Sequence, residues 1–216
     1  MSVLPALKYL IVPPRAGDTG AGWKPVAEML APSFPGTKWI LPHARIIPVT
    51  INMQMKMSAW FDLSSLSDMD NEDEKGLLSS AHAINEIITA EVDAGMPANK
   101  IILGGFSQGC ALGLLTGLTT ERKLAGLICL SGWLPIRKLV KSSMSDHARN
   151  MPVFWGHGTA DQVVRYSWGE MSVKFLQDSK FKDVTFKSYD MGHGSDPEEL
   201  RDLKAWLENL LNKTSS

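Results

Sequence analysis

The stretch from Lys100 to Leu118, KIILGGFSQGCALGLLTGL, sets the tightest limit on what this chain can become. Ile101, Ile102 and Leu103 form a short apolar run of the kind that makes a buried strand. Cys110 to Leu118 is a helix-compatible run, and Gly105-Phe106-Ser107-Gln108-Gly109 lies between the two. A G-x-S-x-G in that position is a sharp strand-to-helix turn with a serine at its tip. The glycines two before and two after the serine prevent clashes where strand and helix meet. A helix N-terminus behind Ser107 directs free N–H groups and partial positive charge toward any oxyanion formed there. Ser107 is the candidate nucleophile.

Around this turn the chain alternates strands with helices. Leu7 to Val12 reads as a first strand, followed by the loop RAGDTGAG and a short helix from Trp23 to about Ala31. Lys38 to Leu41 is a second strand, stopped by Pro42. Residues 43–62 read as irregular, with Met53, Met55 and Met57 at period two and then Trp60 and Phe61. A polar loop from Leu63 to Glu74 leads into a long helix whose apolar positions Leu77, Leu78, Ala81, Ile84, Ile87, Ile88 and Val92 keep a helical period. Later strands are expected at Leu124–Leu130, Pro152–Gly156 and Val184–Tyr189, with a helix from about Ser167 to Gln177. A last helix opens at Asp196-Pro197-Glu198-Glu199, with an N-cap, a proline at N1 and a glutamate at N3. Strands joined through helices of ten or more residues mean crossover connections and a mainly parallel sheet. In such a sheet the reactive groups gather at the carboxyl ends of the strands.

That rule ranks the five histidines, His43, His82, His147, His157 and His193. His82 lies on the long helix, His147 in a polar connector, and His43 precedes the serine. A serine nucleophile needs a base and the base an orienting carboxylate, in the chain order serine, acid, histidine for this type of turn. Asp161 follows a strand 54 positions past Ser107, and His193 follows the last strand 32 positions further on. His157 stands only four residues before Asp161 and reads as a structural loop histidine. Asp190 competes as the acid but shares the loop of His193, which gives it poorer geometry. No histidine, cysteine or carboxylate cluster has metal-ligand spacing, so no metal is expected.

Composition narrows the function class. At 216 residues with 44% hydrophobic residues, 21% charged residues and net charge −1, the chain suits one α/β domain spanning 1–216. It carries no basic surplus for nucleic acid and no acidic tail for a cationic partner. Cys110 and Cys129 lack CxxC spacing and read as reduced core thiols. Without a signal-like N-terminus or a long apolar run, the expected location is the cytoplasm, with the nucleus second.

Several segments together resemble the acyl-protein thioesterases, within the family of small carboxylesterases and lysophospholipases. They are GDTGAGW (17–23), LPHA (41–44), PVTINM (48–53), WFD (60–62), GGFSQG (104–109), LAGLICLSGWLP (124–135), FWGHGTAD (154–161) and MGHGSDPEEL (191–200). The resemblance implies an α/β-hydrolase fold with helices on both faces of a mainly parallel sheet and a minimal lid. It implies Ser107, Asp161 and His193 as a catalytic triad, in agreement with the chain-order reasoning. From composition alone the methionines read as core filler. The resemblance instead makes Met53, Met55, Met57, Trp60 and Phe61 candidates for the wall of an acyl channel. It further implies no cofactor, S-acylated proteins or small acyl esters as substrates, at most peripheral membrane contact and at most a weak homodimer.

One departure bears on the oxyanion hole. Family members usually carry His-Gly just after the first strand, where this chain has Pro14-Arg15. The backbone donors then fall to Ala16 and Gln108. Loss of one such donor can raise a barrier by about 3–4 kcal/mol. The expected activity is hydrolysis of fatty-acyl thioesters. The alternatives are an oxygen-ester hydrolase with the same triad, or an acyl-binding relative disabled at Pro14-Arg15.

Overall fold

The computed structural model describes residues 9–11, 15–66 and 71–213. Its main sheet has six strands: β1 (Tyr9–Ile11), β2 (Lys38–Ile40), β5 (Ile101–Phe106), β6 (Gly126–Leu130), β7 (Val153–Gly158) and β8 (Val184–Tyr189). They lie in the order β2-β1-β5-β6-β7-β8, and every neighbouring pair is parallel. The first strand is described over Tyr9–Ile11, within the expected 7–12, whose positions 7, 8 and 12 lie outside the described residues.

Alternation along the central strands divides the core between the two faces. Ile101, Leu103, Leu127, Cys129, Val153 and Trp155 belong to one buried cluster, with α2 (Glu74–Asp93), α3 (Gln108–Thr119) and α5 (Tyr166–Asp178). Ile102, Phe106, Ile128, Leu130 and Phe154 point the other way, onto Leu30 of α1 (Lys24–Leu30) and Leu203, Leu207 and Leu210 of α6 (Pro197–Lys213). Apolar cover on both faces explains why these strands are continuous apolar runs and not polar–apolar alternations. Helix α3 is buried from Gln108 to Leu118 and correspondingly has no polar face. Its small residues let it lie close to the sheet, since a Cβ on Gly117 would overlap the Leu127 side chain.

Two regions differ from expectation. The segment read as irregular is a hairpin of β3 (Arg45–Val49) and β4 (Met55–Ala59), paired antiparallel from Arg45↔Ala59 to Val49↔Met55. Its tip is pinned by Asp62, which accepts from the Thr50 backbone amide at 2.6 Å and from the Thr50 hydroxyl. The connector between β6 and β7 contains an unexpected helix, α4 (Arg137–Ser143). Its cap, Ile136, has left-handed backbone angles and no side-chain cap bond, so no N-terminal signature marks it. In α2, Leu78 of the expected apolar set faces solvent, whereas Leu77, Ala81, Ile84 and Ile88 are buried.

Helix α6 starts as its sequence suggests, with Asp196 Oδ1 accepting from the Glu198 amide at 2.7 Å. Glu199, however, is fully buried against Gly156 of β7. Neither of its oxygens reaches a full-strength partner. Burial pushes its carboxyl up to about 8, and the Asp196 backbone offsets only part of this. The folded protein therefore holds a proton on Glu199 that the unfolded chain has released above the ordinary carboxylate range. Stability should be greatest below about pH 4.5 for this group and fall as the pH rises toward 8. Glu199→Gln is expected to remove that loss. Its advantage over wild type in chemical denaturation should grow to a few kcal/mol by pH 8 and then level off. A pH-independent difference would show that Glu199 is ionised in the fold.

Candidate active site

Ser107 joins β5 to α3 with φ 56° and ψ −120°, a conformation that costs a residue with a side chain of order 1–3 kcal/mol. The surroundings enforce it. The Ser107 amide donates to the Leu130 carbonyl of β6 at 2.9 Å, and the Ser107 carbonyl accepts from Ala111 at 3.1 Å. Gly105 is required because a Cβ there would overlap the Gly109 carbonyl, and a Cβ on Gly132 would strike Cys110. Gln108 is buried and clamps the incoming chain after β4: its Oε1 accepts from the Trp60 amide at 2.8 Å and its Nε2 donates to the Phe61 carbonyl at 2.6 Å. The Gln108 main-chain amide, at the first position of α3, has no intrahelical acceptor.

The loops after β7 and β8 bring Asp161 and His193 together. They are joined by Thr159 donating to the Tyr189 carbonyl at 2.8 Å and Ala160 to the Met191 carbonyl at 3.1 Å. Asp161 is buried, and its Oδ1 accepts from the amides of Val163 and Val164, each at 2.9 Å. Its Oδ2 stands 2.8 Å from His193 Nδ1. A carboxylate only accepts, so Nδ1 carries the hydrogen and Nε2 of a neutral His193 is left as a proton acceptor. The His193 ring packs on Phe106, centroid to centroid 4.8 Å, beside Ser107. Asp190, the competing acid, is exposed.

His157 is wholly buried near the end of β7. Its Nε2 lies 2.8 Å from the Val164 carbonyl and 3.6 Å from Asp161 Oδ2, so it braces the loop that holds Asp161. Burial holds its pKa below the ordinary value of 6.5, against the opposing pull of the Val164 carbonyl and Asp161. His43 accepts from the Gly20 amide at 3.3 Å, and His82 is exposed on α2. Among the described residues no three His, Cys, Asp or Glu side chains are grouped so as to hold a metal ion.

Ala16 sits in the turn Arg15–Asp18, which is docked on the hairpin by the Gly17 amide donating to the Ser58 carbonyl at 2.7 Å. Arg15 and Asp18 are 3.8 Å apart across this turn, and Pro14 lies outside the described residues. The five residues expected to line an acyl channel differ in burial. Met53 is in the hairpin tip at φ 55° and is 85% exposed, Met55 is 54% exposed, and only Met57 is partly covered, next to Asn52. Met55 and Met57 keep period two within β4, and Met53 precedes the strand. Trp60 and Phe61 are buried as expected.

A small groove lies between Phe61, Leu63, Leu66, Trp133 and Trp168, with Asp62, Ser64, Ser65, Asn71 and Glu72 as its polar lining. Two of its walls abut the Ser107–Gln108 turn, Phe61 through its bond to Gln108 and Trp133 through neighbouring Gly132. Trp133 and Trp168 were not singled out as site residues from sequence. The usable signal was Ser131-Gly132-Trp133-Leu134-Pro135 leaving the carboxyl end of a central strand beside the nucleophile strand.

A family model described as phospholipase/carboxylesterase matches residues 15–211. Acyl-protein thioesterase 1 of Cryptococcus neoformans is 49% identical, over 90% of this chain and 89% of the relative. Among solved structures, Zea mays acyl-protein thioesterase 2 superposes with a TM-score of 0.85 at 31% identity, covering 94% of each chain. Arabidopsis thaliana SOBER1 superposes with a TM-score of 0.88 at 28% identity, covering 94% of this chain and 99% of that one.

A histidine that stays neutral in the fold takes up a proton on unfolding once the pH drops below its ordinary range. The stability His157 contributes is thus present above about pH 6.5 and lost as the pH falls below it. His157→Gln, which keeps a donor for Val164 but cannot titrate, should flatten the fall in Tm between about pH 6.5 and 5. An unchanged acid limb would mean that His157 titrates normally.

Proposed function

This chain belongs to the phospholipase/carboxylesterase family of α/β-hydrolases, and from that premise we propose that it is a serine hydrolase cleaving fatty-acyl thioesters, with S-acylated proteins as its substrates. The observation that carries the mechanism is the Asp161–His193 pair at 2.8 Å, with the imidazole packed on Phe106 next to the strained Ser107 turn. In this mechanism Ser107 Oγ attacks the acyl carbon as His193 Nε2 takes its proton, and Asp161 keeps the imidazole in the required tautomer. The amides of Gln108 and Ala16 bind the tetrahedral oxyanion. The C–S bond breaks, and the departing thiolate takes the proton from His193. Water then attacks the acyl-enzyme with His193 again as base, the acyl–Oγ bond breaks, Ser107 regains its proton from His193, and the fatty acid leaves.

The choice of substrate rests on two supports. The relative at 49% identity is an acyl-protein thioesterase. The small groove presents Phe61, Leu63, Leu66, Trp133 and Trp168, apolar and aromatic surface that suits a hydrocarbon chain. Each buried methylene adds about 0.8 kcal/mol, so longer acyl groups should outcompete acetate. The family description favours a second reading, a carboxylesterase or lysophospholipase acting on oxygen esters with the same residues.

A fluorophosphonate probe should add one label to the Ser107 peptide, read by mass spectrometry. Ser107→Ala should abolish both label and turnover, and His193→Ala should lower kcat by at least about a thousandfold, because triad members act as a unit. Labelling lost on His157→Ala but kept on His193→Ala would overturn the assignment. Parallel rates on palmitoyl thioester and palmitoyl oxygen ester decide between the two substrate classes.

A further inference from the structure

At the mouth of α2, Glu72 directly precedes the helix cap Asp73, a position where negative charge suits the helix dipole. Its side chain has a second task, in the groove. Oε1 accepts from the Trp133 indole Nε1 at 2.9 Å, and Oε2 accepts from the Ile136 backbone amide at 2.5 Å. One carboxylate thus ties the N-terminal end of α2 to the segment that follows β6. Trp133 is almost wholly buried, and its ring meets Phe61 and Trp168 edge-on, at centroid distances of 6.1 and 6.4 Å. A buried indole N–H requires an acceptor, and this one finds it on Glu72. Ile136 is a β-branched residue held at φ 34°, ψ 51°, an unfavourable conformation that persists only where its surroundings over-determine it. Its amide points at the same carboxylate.

We propose that Glu72 is a positioning residue for acyl-chain selection, fixing the Trp133 ring plane that forms one wall of the groove. The inference rests on the hydrolase reading for its kinetic consequence, but not for its structural one. Glu72 touches no reacting atom and lies outside the Ser107, Asp161 and His193 set. The carboxylate is the group that fits because it accepts on both oxygens. Glutamine offers one accepting oxygen and turns an NH₂ toward the other donor. Trp133 or Ile136 then loses its partner, and the ring is free to leave the plane that a long chain needs. A short acyl group does not reach far enough along the wall to sense the change.

The test compares wild type, Glu72→Gln and Trp133→Phe on p-nitrophenyl esters from C4 to C16. Glu72→Gln should lower kcat/KM for C12–C16 by about tenfold, chiefly through KM, and leave C4 within about twofold. Trp133→Phe keeps a ring and removes the donor, so it should produce part of the same long-chain loss. Adding Glu72→Gln to Trp133→Phe should then cost less than in wild type, since a single amide, Ile136, still needs the acceptor. The second arm needs no turnover: dodecanoate binding to Ser107→Ala, with and without Glu72→Gln, should weaken by about tenfold. If wild type hydrolyses no ester but binding still depends on Glu72, the hydrolase reading falls and the clasp stands. A loss equal at every chain length, additive double variants or unchanged dodecanoate binding would overturn the clasp. If Glu72→Gln does not fold, a Trp133→Phe chain-length profile parallel to wild type overturns it.

Discussion

The close passage of β5 into α3 at Ser107 is the constraint on which the rest depends. A strand leaving a parallel sheet must reverse within one residue to place a helix back on the same sheet. That is possible only if nothing projects between Gly105 and Gly109, and only if the residue at the tip accepts φ 56°. The conformation is unfavourable on its own, so it is kept by what surrounds it: the Leu130 carbonyl of β6, the first turn of α3, and a helix buried along almost all its length. The strain and the proposed reactivity have one origin. A turn sharp enough to expose the serine oxygen also aims the free amides of a helix N-terminus at it.

Loops around this rigid turn are held largely by acidic side chains accepting main-chain hydrogen bonds. Asp161 accepts from Val163 and Val164, Asp62 from Thr50, Asp73 from Asp62 and Gly76, and Glu72 from Ile136. Each bond has a charged acceptor and is worth more than a neutral one, about 1.5–3 kcal/mol where water is excluded. The β7 and β8 loops need this support because the polar atoms of Asp161 and His193 must keep their directions without a regular ladder. Glu199 shows the opposite case. It is an acid on the far side of β7 that finds no adequate donor and, in consequence, holds its proton.

Those features whose cause is local were legible in the sequence. The apolar runs of β5, β6 and β7, the G-x-S-x-G turn and the cap of α6 all carry their determinants within a few residues, and each is present in the structure. The order of Ser107, Asp161 and His193 was legible because a parallel sheet collects its strand ends on one edge. Period two only has meaning inside a strand, so it holds for Met55 and Met57 in β4 and not for Met53, which with Gln54 has positive φ in the hairpin tip. Helix α4 was missed because its start depends on Glu72, 64 positions away, and not on a local cap. The groove had the same difficulty. Phe61, Trp133 and Trp168 come from three separated segments, and only folding places their rings edge to edge.

The same hairpin also anchors the described part of the loop after β1. Family members place His-Gly there, and this chain places Pro14-Arg15, giving up the freedom of glycine just where the turn begins. Gly17 has φ 78°, and its amide is bonded to Ser58 on β4. Arg15 and Asp18 approach across the turn, although their exposure makes that pair a weak tether. The stronger constraint is the main-chain bond to Ser58, because β4 continues into Trp60 and Phe61, which Gln108 clamps to the nucleophile turn. One continuous path of hydrogen bonds therefore runs from Gly17 through β4 to Gln108. The turn holding Ala16 is thus linked to the same residue whose own amide heads α3, so the hairpin couples the two proposed oxyanion donors.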